Sequence, residues 1–263
     1  MISKPVDAEG LLHLEGILPN DEVHVWQVDQ IAWEKEIGSL FELLDSEERE
    51  RAERYKFPEP RNQFVISRAL LRRGLGRYLR IEPREVRFRM TANGKPELVG
   101  NAAHLDDNLH FNLSHTQGTT VIALVRDRQV GIDVERIREN TNALELAERF
   151  FSPQEVRWLR SQPASEHIPL FFSCWTAKEA YIKAHGQGLS MSLSSFGVLP
   201  AVAADGSRLQ LSVYDDPQES QRWSIWQLNL GPALRAALAV EGESCRVRVG
   251  RWPSPDVGAD PQG

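Results

Sequence analysis

Two acidic side chains two residues apart are the first feature that could do chemistry. Asp133 and Glu135 alternate with Ile132 and Val134 in a largely apolar stretch. Residues two apart in a β-strand project from the same face, so both carboxylates would point together, away from the core. Carboxylates held side by side repel each other unless a cation, a proton or a basic partner lies between them. Alternation on a half-exposed strand gives the same pattern, so the pair alone leaves both interpretations open.

A second feature is one face of a predicted helix. Trp175, Glu179 and Lys183 are spaced by four residues, which places them on one helix face. Glu179 and Lys183 would form either a routine surface pair, worth about 0.2–0.5 kcal/mol, or a carboxylate and an ammonium in a cleft beside an aromatic wall. If Glu179 joins Asp133 and Glu135, three oxygen ligands converge, and with few imidazoles or thiolates nearby that set favours Mg²⁺ over zinc.

Two turns supply further candidates. Asn93 and Gly94 predict a two-residue β-hairpin, and Lys95 beside them can reach a phosphate as a point charge. Ser114 and His115 are adjacent, so in a strand they point to opposite faces and cannot form a nucleophile–base pair. His115 alone among the seven histidines lies in so polar a turn. A structural hydrogen bond is the alternative role for such a histidine.

Motifs for several other chemistries are absent from the sequence. It contains no G-x-x-x-x-G-K-[ST], H-E-x-x-H, C-x-x-C or G-x-S-x-G. Ser152 and Glu155 form a capping box with Pro153 at the first helical position, so Glu155 has a structural explanation. Cys174 lies in an apolar helical run and is predicted to pack in the core.

Composition narrows the class of protein. The chain has 263 residues, 41% of them hydrophobic and 26% charged, as in ordinary globular proteins. No apolar stretch approaches the roughly 18–20 residues needed to cross a membrane, so no membrane partner is expected. Two cysteines argue against a disulfide framework and favour a cytoplasmic location.

The charge is unevenly distributed. The formal net charge of −6 argues against a nucleic-acid partner. Residues 49–89, however, hold 13 basic and five acidic side chains, a net +8, against −14 for the remainder. Such a segment can attract phosphates or an acidic partner, and a solvated helix face is the alternative.

Periodicity and turn residues predict an α+β fold. Helices are predicted near residues 46–55, 58–79, 141–150, 153–160 and 169–185. Strands are predicted near residues 23–28, 86–90, 110–113, 120–125, 130–135, 195–199, 208–213, 223–230, 236–240 and 245–249. Strand and helix blocks occur on both sides of residue 128, which predicts an N-terminal half at 1–128 and a C-terminal half at 129–250 carrying the metal-site motifs. Residues 251–263 are predicted to form a disordered tail.

Taken in order, these motifs resemble the Sfp-type 4′-phosphopantetheinyl transferases, over about residues 46–196. The matching stretches are Gly94-Lys95-Pro96, Phe111-Asn112-Leu113-Ser114-His115, Gly131-Ile132-Asp133-Val134-Glu135, Phe150-Phe151-Ser152, Trp175 to Lys183, and Gly186-Gln187-Gly188-Leu189. The Lys-Glu-Ala sequence at 178–180 is similar to the W/KEA branch of the family. The resemblance implies a monomeric pseudo-two-fold protein of two similar α+β halves, with coenzyme A bound in the cleft between them.

The resemblance also implies a reaction and partners. Members of the family transfer the phosphopantetheine arm of coenzyme A to a serine of an apo carrier protein and release adenosine 3′,5′-bisphosphate. The carrier would be an acyl, polyketide or peptidyl carrier domain. Two alternatives stay open: another Mg²⁺-dependent enzyme that cleaves a pyrophosphate, and an inactive module that only binds carriers.

Family positions transfer to individual residues of this chain. Asp133, Glu135 and Glu179 match ligands of Mg²⁺, with Mn²⁺ as a substitute, and Glu179 also matches a residue that helps to deprotonate the carrier serine. Lys183 matches the residue that stabilises or protonates the leaving bisphosphate. The coenzyme A contacts are matched by Arg51, Lys95, Ser114 and His115. Glu48 lies near a position that is basic in some relatives.

Overall fold

The computed structural model describes residues 18–99, 108–200, 207–243 and 245–255. Its strands are β1 (Glu22–Asp29), β2 (Phe88–Met90), β3 (Pro96–Leu98), β4 (Leu109–Thr116), β5 (Thr119–Arg126), β6 (Val130–Arg136), β7 (Phe196–Pro200), β8 (Arg208–Val213), β9 (Trp223–Leu228), β10 (Leu234–Glu241) and β11 (Arg246–Arg251). Its α-helices are α1 (Ile37–Phe41), α2 (Ser46–Glu53), α3 (Pro58–Leu79), α4 (Ala143–Phe150), α5 (Pro153–Arg160), α6 (His167–His185) and α7 (Pro217–Arg222).

Each half of the fold pairs one sheet with one long helix. The first sheet has the order β11-β1-β5-β4, and α3 packs on it through Leu71 and Leu75. The second sheet has the order β6-β10-β9-β8-β7, and α6 packs on it through Ala177, Tyr181 and Ala184. The long helices bury apolar faces against the sheets, which is the usual way an α+β layer is stabilised. The predicted α+β fold of two halves is confirmed.

The last strand does not lie in the half to which the sequence assigns it. β11 pairs in parallel with β1, Val247 opposite Val23, so it lies in the sheet of the N-terminal half and not with residues 129–250. The next residue, Trp252, contacts the edge of the Trp26 ring, with ring centroids 5.3 Å apart. The first residues of the predicted disordered tail are therefore ordered, because Arg251 ends β11 and the partly buried Trp252 packs against the core. Residues 256–263 lie outside the described residues.

The two sheets meet where β4 runs beside β6. Side chains of β4 take the place of strand-to-strand hydrogen bonds there: Asn112 Oδ1 accepts from the Ile132 amide at 2.9 Å, and Thr116 Oγ1 accepts from the Arg136 amide at 3.3 Å. These bonds satisfy buried backbone donors that have no ladder partner. The side chain of Ser114 lies between them on the same face, so polar groups line the junction of the halves.

Local sequence signals set the boundaries of the elements. Asp45 caps α2 and exchanges hydrogen bonds with Glu48 in a capping box, and α3 begins at Pro58 as predicted. The predicted hairpin forms between β2 and β3, but its loop has three residues, 92–94, not two. The Thr91 amide bonds the Lys95 carbonyl, and Gly94 has a φ of +80°. This left-handed residue is typical of three-residue hairpin loops.

Part of the basic segment is used inside the fold. Arg72 is fully buried, where it forms ion pairs with Asp45 and Glu48 and donates to the Val86 carbonyl at 2.8 Å. Arg68 pairs with the same Glu48 carboxylate. These arginines hold α3 against α2, so they do not contribute to the charge available to a ligand. Glu48, near a position that is basic in some relatives, has a structural role in this chain.

Gly131 allows β6 to lie directly on α6. A Cβ atom at this position would lie 2.1 Å from the Ala180 carbonyl oxygen and 2.3 Å from the Ala184 amide nitrogen. Gly131→Ala is therefore expected to lower the free energy of unfolding by at least about 1–3 kcal/mol, because backbone atoms cannot move aside. Urea denaturation measures the change. Gly38→Ala, with no atom within 4 Å of its Cβ, is the control and should be neutral or stabilising; equal midpoints for both variants would contradict this account.

Cys174 and Cys245 are both buried and free, and burial raises the pKa of the Cys174 thiol to about 12. This agrees with the predicted packing role of Cys174 and with the expected lack of a disulfide framework. Among the helices that the structure describes, none combines the length and the apolar character needed to cross a membrane.

Candidate active site

A cavity of about 500 Å³ is lined by residues from both halves. The hairpin loop and β4 form one side, the α6 face with Glu179 and Lys183 forms another, and the segment after α6 closes the third. Lys95, Glu179 and Lys183 are the predicted site residues on its wall. Ser114 and Asp133 lie against Lys183, whereas Arg51, His115 and Glu135 are not part of the cavity lining.

Lys183 holds the centre of the site together. Its ammonium donates to Asp133 Oδ1 at 2.7 Å, to Ser114 Oγ at 3.0 Å and to the Ile132 carbonyl at 3.3 Å. Ser114 in turn donates to the same Asp133 oxygen at 2.8 Å. The charge of Lys183 is thus fixed at the cavity wall by β4 and β6. Sequence spacing paired Lys183 with Glu179, whereas the ion pair that forms is with Asp133 on the neighbouring strand β6.

Three carboxylates influence one another in this region. Burial, and next the charge of Asp133, raise the pKa of both Glu135 and Glu179, and Lys183 opposes the shift of each. Asp133 Oδ2 is buried without a hydrogen-bond partner. The part of the chain that the structure describes contains no three His, Cys, Asp or Glu side chains already arranged as a metal cage. An unpaired carboxylate oxygen beside two further carboxylates is nonetheless the donor type that a hard divalent cation takes.

The hairpin loop is fastened to the end of α6. Asn93 Nδ2 donates to the Gly186 carbonyl at 2.8 Å, and Gly186 ends the helix with a φ of +80°. Lys95 then reaches inwards, where its ammonium donates to the Val130 carbonyl at 3.3 Å and to Gln129 Oε1 at 3.4 Å. Burial lowers the pKa of the Lys95 ammonium. Both hydrogen-bond partners of the ammonium are neutral, and neither is a carboxylate. Its positive charge is therefore suited to an anionic ligand.

His115 is the exposed neighbour of Ser114 on β4. Desolvation by the surrounding protein, and next the cationic Lys183, lower the pKa of its imidazole, and Arg51 acts in the same direction. Asp133 opposes these effects. The exposed Arg51 lies with its guanidinium 4.8 Å from the centre of the Phe64 ring. The structure thus brings Arg51, His115 and Lys183 into one electrostatic neighbourhood, although Arg51 does not touch the cavity.

The aromatic wall is formed by a different residue from the one predicted. Phe150, at the end of α4, lines the cavity, and Trp175 packs behind it with ring centroids 5.9 Å apart. Trp175 also contacts Phe151 and Phe171 in a buried aromatic cluster. Its indole packs between α4 and α6, because the apolar neighbours there remove more of its surface from water than the cavity would.

Sequence reasoning missed several residues that build the site. Asn112 and Thr116 join the sheets, and Arg149 lies on the cavity wall beside Phe150. Asn112 and Thr116 share a strand face with Ser114 through the period of two, which could have indicated their role. Lys178 was also missed: its ammonium is completely buried against Glu155, away from the cavity.

The arrangement suits chemistry on phosphates. Lys95 and Lys183 present positive charge from two sides of the cavity, and Glu179 presents a carboxylate whose raised pKa makes it a better proton acceptor than an exposed one. The apolar part of the wall, with Phe150, Ile182 and Leu193, can receive a flexible neutral group. None of these features requires a covalent enzyme intermediate.

Comparison with known proteins gives the family. The model of the 4′-phosphopantetheinyl transferase superfamily matches residues 129–240, and the model described as the N-terminal part of 4′-phosphopantetheinyl transferase matches residues 26–126. Among solved structures, the holo-[acyl-carrier-protein] synthase of Thermotoga maritima aligns at a TM-score of 0.35 and 22% identity. That alignment covers 44% of this chain and 63% of the other.

Curated relatives match over most of their length. The 4′-phosphopantetheinyl transferase HetI of Nostoc sp. is 42% identical over 86% of this chain and 90% of its own. The transferase psf-1 of Bacillus pumilus is 35% identical over 73% and 78%, and Sfp of Bacillus subtilis is 31% identical over 65% and 73%. The resemblance to Sfp-type proteins is therefore confirmed, and the chain is an enzyme of the 4′-phosphopantetheinyl transferase superfamily.

Proposed function

We propose that this enzyme transfers the 4′-phosphopantetheine arm of coenzyme A to a serine of an apo carrier domain. The serine oxygen forms a bond to the phosphorus that carries the pantetheine arm, and the pyrophosphate bond to the other phosphorus breaks. Its electron pair leaves with adenosine 3′,5′-bisphosphate. Such a step depends on the placement of charge around the phosphates.

One observation carries this proposal: two lysines and a carboxylate of raised pKa share the wall of one cavity. Lys95 and Lys183 approach from opposite halves of the protein, and Glu179 lies one helical turn from Lys183. A dianionic pyrophosphate needs cations on its oxygens, and the attacking hydroxyl needs a proton acceptor. The cavity supplies both kinds of group.

Lys183 is assigned to the leaving group. Its ammonium is held by Asp133 and Ser114, so its position costs no reorganisation when negative charge develops on the bisphosphate oxygen. Glu179 is assigned to the serine hydroxyl, from which it takes the proton directly or through a water molecule. Its raised pKa brings the carboxylate closer to the range in which a general base works well near neutral pH.

Asp133, Glu135 and Glu179 are the residues that would hold Mg²⁺, or Mn²⁺ in its place. The buried, unpaired Asp133 Oδ2 and the raised pKa of both glutamates are what an incomplete cation site produces. A bound divalent cation would neutralise charge on the pyrophosphate oxygens. We expect chelation of divalent ions to stop transfer.

The contacts to coenzyme A are assigned to Arg51, Lys95, Ser114 and His115. Lys95 is the strongest of these assignments, because it lines the cavity and has only neutral hydrogen-bond partners. Arg51 would add positive charge near His115, and His115, whose pKa is lowered, would approach a phosphate as a neutral hydrogen-bond donor. Ser114 contacts Lys183 and Asp133, so its hydroxyl serves to position them as well as to approach a phosphate.

The proposal includes the wider setting of the reaction. The carrier would be an acyl, polyketide or peptidyl carrier domain, and the enzyme would act as a monomer with its cleft between the halves at residues 1–128 and 129–250. The two free buried thiols suit the reducing cytoplasm. Nucleic acid and membrane are not proposed as partners.

A panel of apo carriers incubated with the enzyme, coenzyme A and Mg²⁺ tests the proposal. We expect adenosine 3′,5′-bisphosphate to appear in a one-to-one ratio with holo carrier, as measured by chromatography. Other pyrophosphate nucleotides should fail to displace labelled coenzyme A from the enzyme. Tighter binding of another nucleotide, with no holo carrier formed, would favour the alternative of a different Mg²⁺-dependent pyrophosphate enzyme.

A further inference from the structure

An exposed aromatic ring lies in the turn between α2 and α3. The side chain of Phe57 is 70% exposed, more than any other large hydrophobic residue that the structure describes. It occupies the position immediately before α3 in an extended conformation, with a φ of −118°. An aromatic ring left in water forgoes the stabilisation that its burial would give. Its position on a helix end makes it a projecting contact point.

The turn around Phe57 carries positive charge that no carboxylate of the described residues neutralises, although the partly exposed Arg61 lies with its guanidinium 5.3 Å from the centre of the Phe41 ring. Arg54 and Lys56 are exposed, and Arg61 follows one turn into α3. Arg49, Arg68, Arg72 and Arg89 form ion pairs with carboxylates, whereas no carboxylate of the described residues pairs with Arg54, Lys56 or Arg61. Three cations and one acid, Glu59, lie between residues 54 and 61. This part of the basic segment therefore remains available to a partner.

The turn connects physically to the edge of the active site. Tyr55 packs against Phe64, with ring centroids 5.8 Å apart, and the Arg51 guanidinium lies over the same Phe64 ring. Gln63, beside Phe64 on α3, donates to the Thr116 carbonyl at 2.9 Å, and Thr116 follows His115 on β4. A partner bound at Phe57 would thus lie beside the cleft.

We propose that Phe57, with Arg54, Lys56 and Arg61, forms the docking surface for the apo carrier domain; this inference rests on the proposed function. Carrier domains are typically acidic, and an aromatic anchor surrounded by cations complements an acidic surface that has an apolar centre. The phosphates of coenzyme A have other partners deeper in the cleft, namely Lys95 and Lys183. The cations of the turn are therefore assigned to the protein substrate.

Steady-state kinetics with each substrate varied separately tests this surface. Phe57→Ala and Lys56→Glu are each expected to raise the KM for the carrier at least about tenfold, with the KM for coenzyme A and the kcat at saturating carrier unchanged. The matched controls are Ile31→Ala, at a side chain that is 68% exposed, and Lys35→Glu, at an exposed lysine outside the turn. Both controls should leave every constant unchanged.

A direct titration of labelled apo carrier into each protein, without coenzyme A, gives a second readout that does not need catalysis. The docking surface would be overturned if Phe57→Ala and Lys56→Glu kept the wild-type transfer rate, the wild-type KM for the carrier and the wild-type affinity for it. The proposed function would then still stand. An increase only in the KM for coenzyme A would overturn it too, because the turn would then bind the nucleotide. Failure of wild type to modify carriers it binds would contradict the proposed function, and the titration would still test the surface.

Discussion

Replacing Lys178 with methionine is expected to lower the free energy of unfolding by about 3–5 kcal/mol. The Lys178 ammonium and the Glu155 carboxylate are both completely buried, with Nζ 2.8 and 2.7 Å from the two carboxylate oxygens. Nζ also donates to the Phe196 carbonyl at 2.6 Å. Methionine fills much of the space but leaves Glu155 charged and without its counterion in an apolar interior. The pair joins α5, α6 and β7, so the whole C-terminal half loses stability.

Urea denaturation followed by circular dichroism measures this loss. The control is Arg160→Met, which removes an ion pair with Glu148 in which both side chains are about half exposed. Exposed pairs contribute little, so the control should change the free energy of unfolding by less than about 1 kcal/mol. A loss of similar size in both variants would contradict the structural role of the buried pair.

Glu179→Gln, at the residue that follows Lys178, is expected to lower the activity without lowering the stability. Transfer should decrease at least about a hundredfold, because the amide can neither accept the serine proton nor serve as an anionic ligand for the cation. Burial and Asp133 hold the pKa of Glu179 above its ordinary value in the folded protein. Folding therefore disfavours its ionised form near neutral pH, and the neutral amide should leave the melting temperature unchanged or higher.

The initial rate of holo-carrier formation and a thermal melt measure both effects on one sample. Glu166→Gln makes the same chemical change at an exposed position beside the first turn of α6 and should alter neither quantity. Retention of wild-type activity in Glu179→Gln would refute the role of this carboxylate. A large fall in melting temperature would show that its role is structural.

Much of the local structure was predictable because its causes are local. The apolar spacing and Pro58 set the exact bounds of α3, and the capping box of Ser152 and Glu155 forms as the sequence indicates. Glu155 shows where such reasoning ends. Its carboxylate also accepts from the Val198 amide at 2.8 Å and from Lys178, and these partners are distant in sequence.

Contacts between distant segments account for what the sequence did not reveal. The parallel pairing of β11 with β1 joins residues more than 200 positions apart, and no periodicity records such a pairing. The partner of Lys183 was missed for the same reason, since Asp133 reaches it only after β6 packs on α6. For the neighbouring residues Lys178 and Glu179, the spacing of four placed Glu179 on the helix face of Trp175 and Lys183. The same spacing could not show that Lys178 is buried.

The separate roles of the basic residues could be assigned only from the structure. The net charge of −6 hides a basic segment, and that segment contains arginines with different roles. Arg68 and Arg72 are used in packing, Arg51 lies near His115, and Arg54 and Lys56 remain exposed beside Phe57. The last group is exposed and has no ion pair among the described residues, so it can attract a macromolecular partner.

Intact mass spectrometry of an apo carrier domain, after incubation with this enzyme, coenzyme A and Mg²⁺, tests the central claim most directly. The account predicts that the carrier gains the mass of one phosphopantetheine group, and that a carrier with alanine in place of the acceptor serine gains nothing. An unchanged mass for several apo carriers, with folded enzyme and intact coenzyme A, would contradict it.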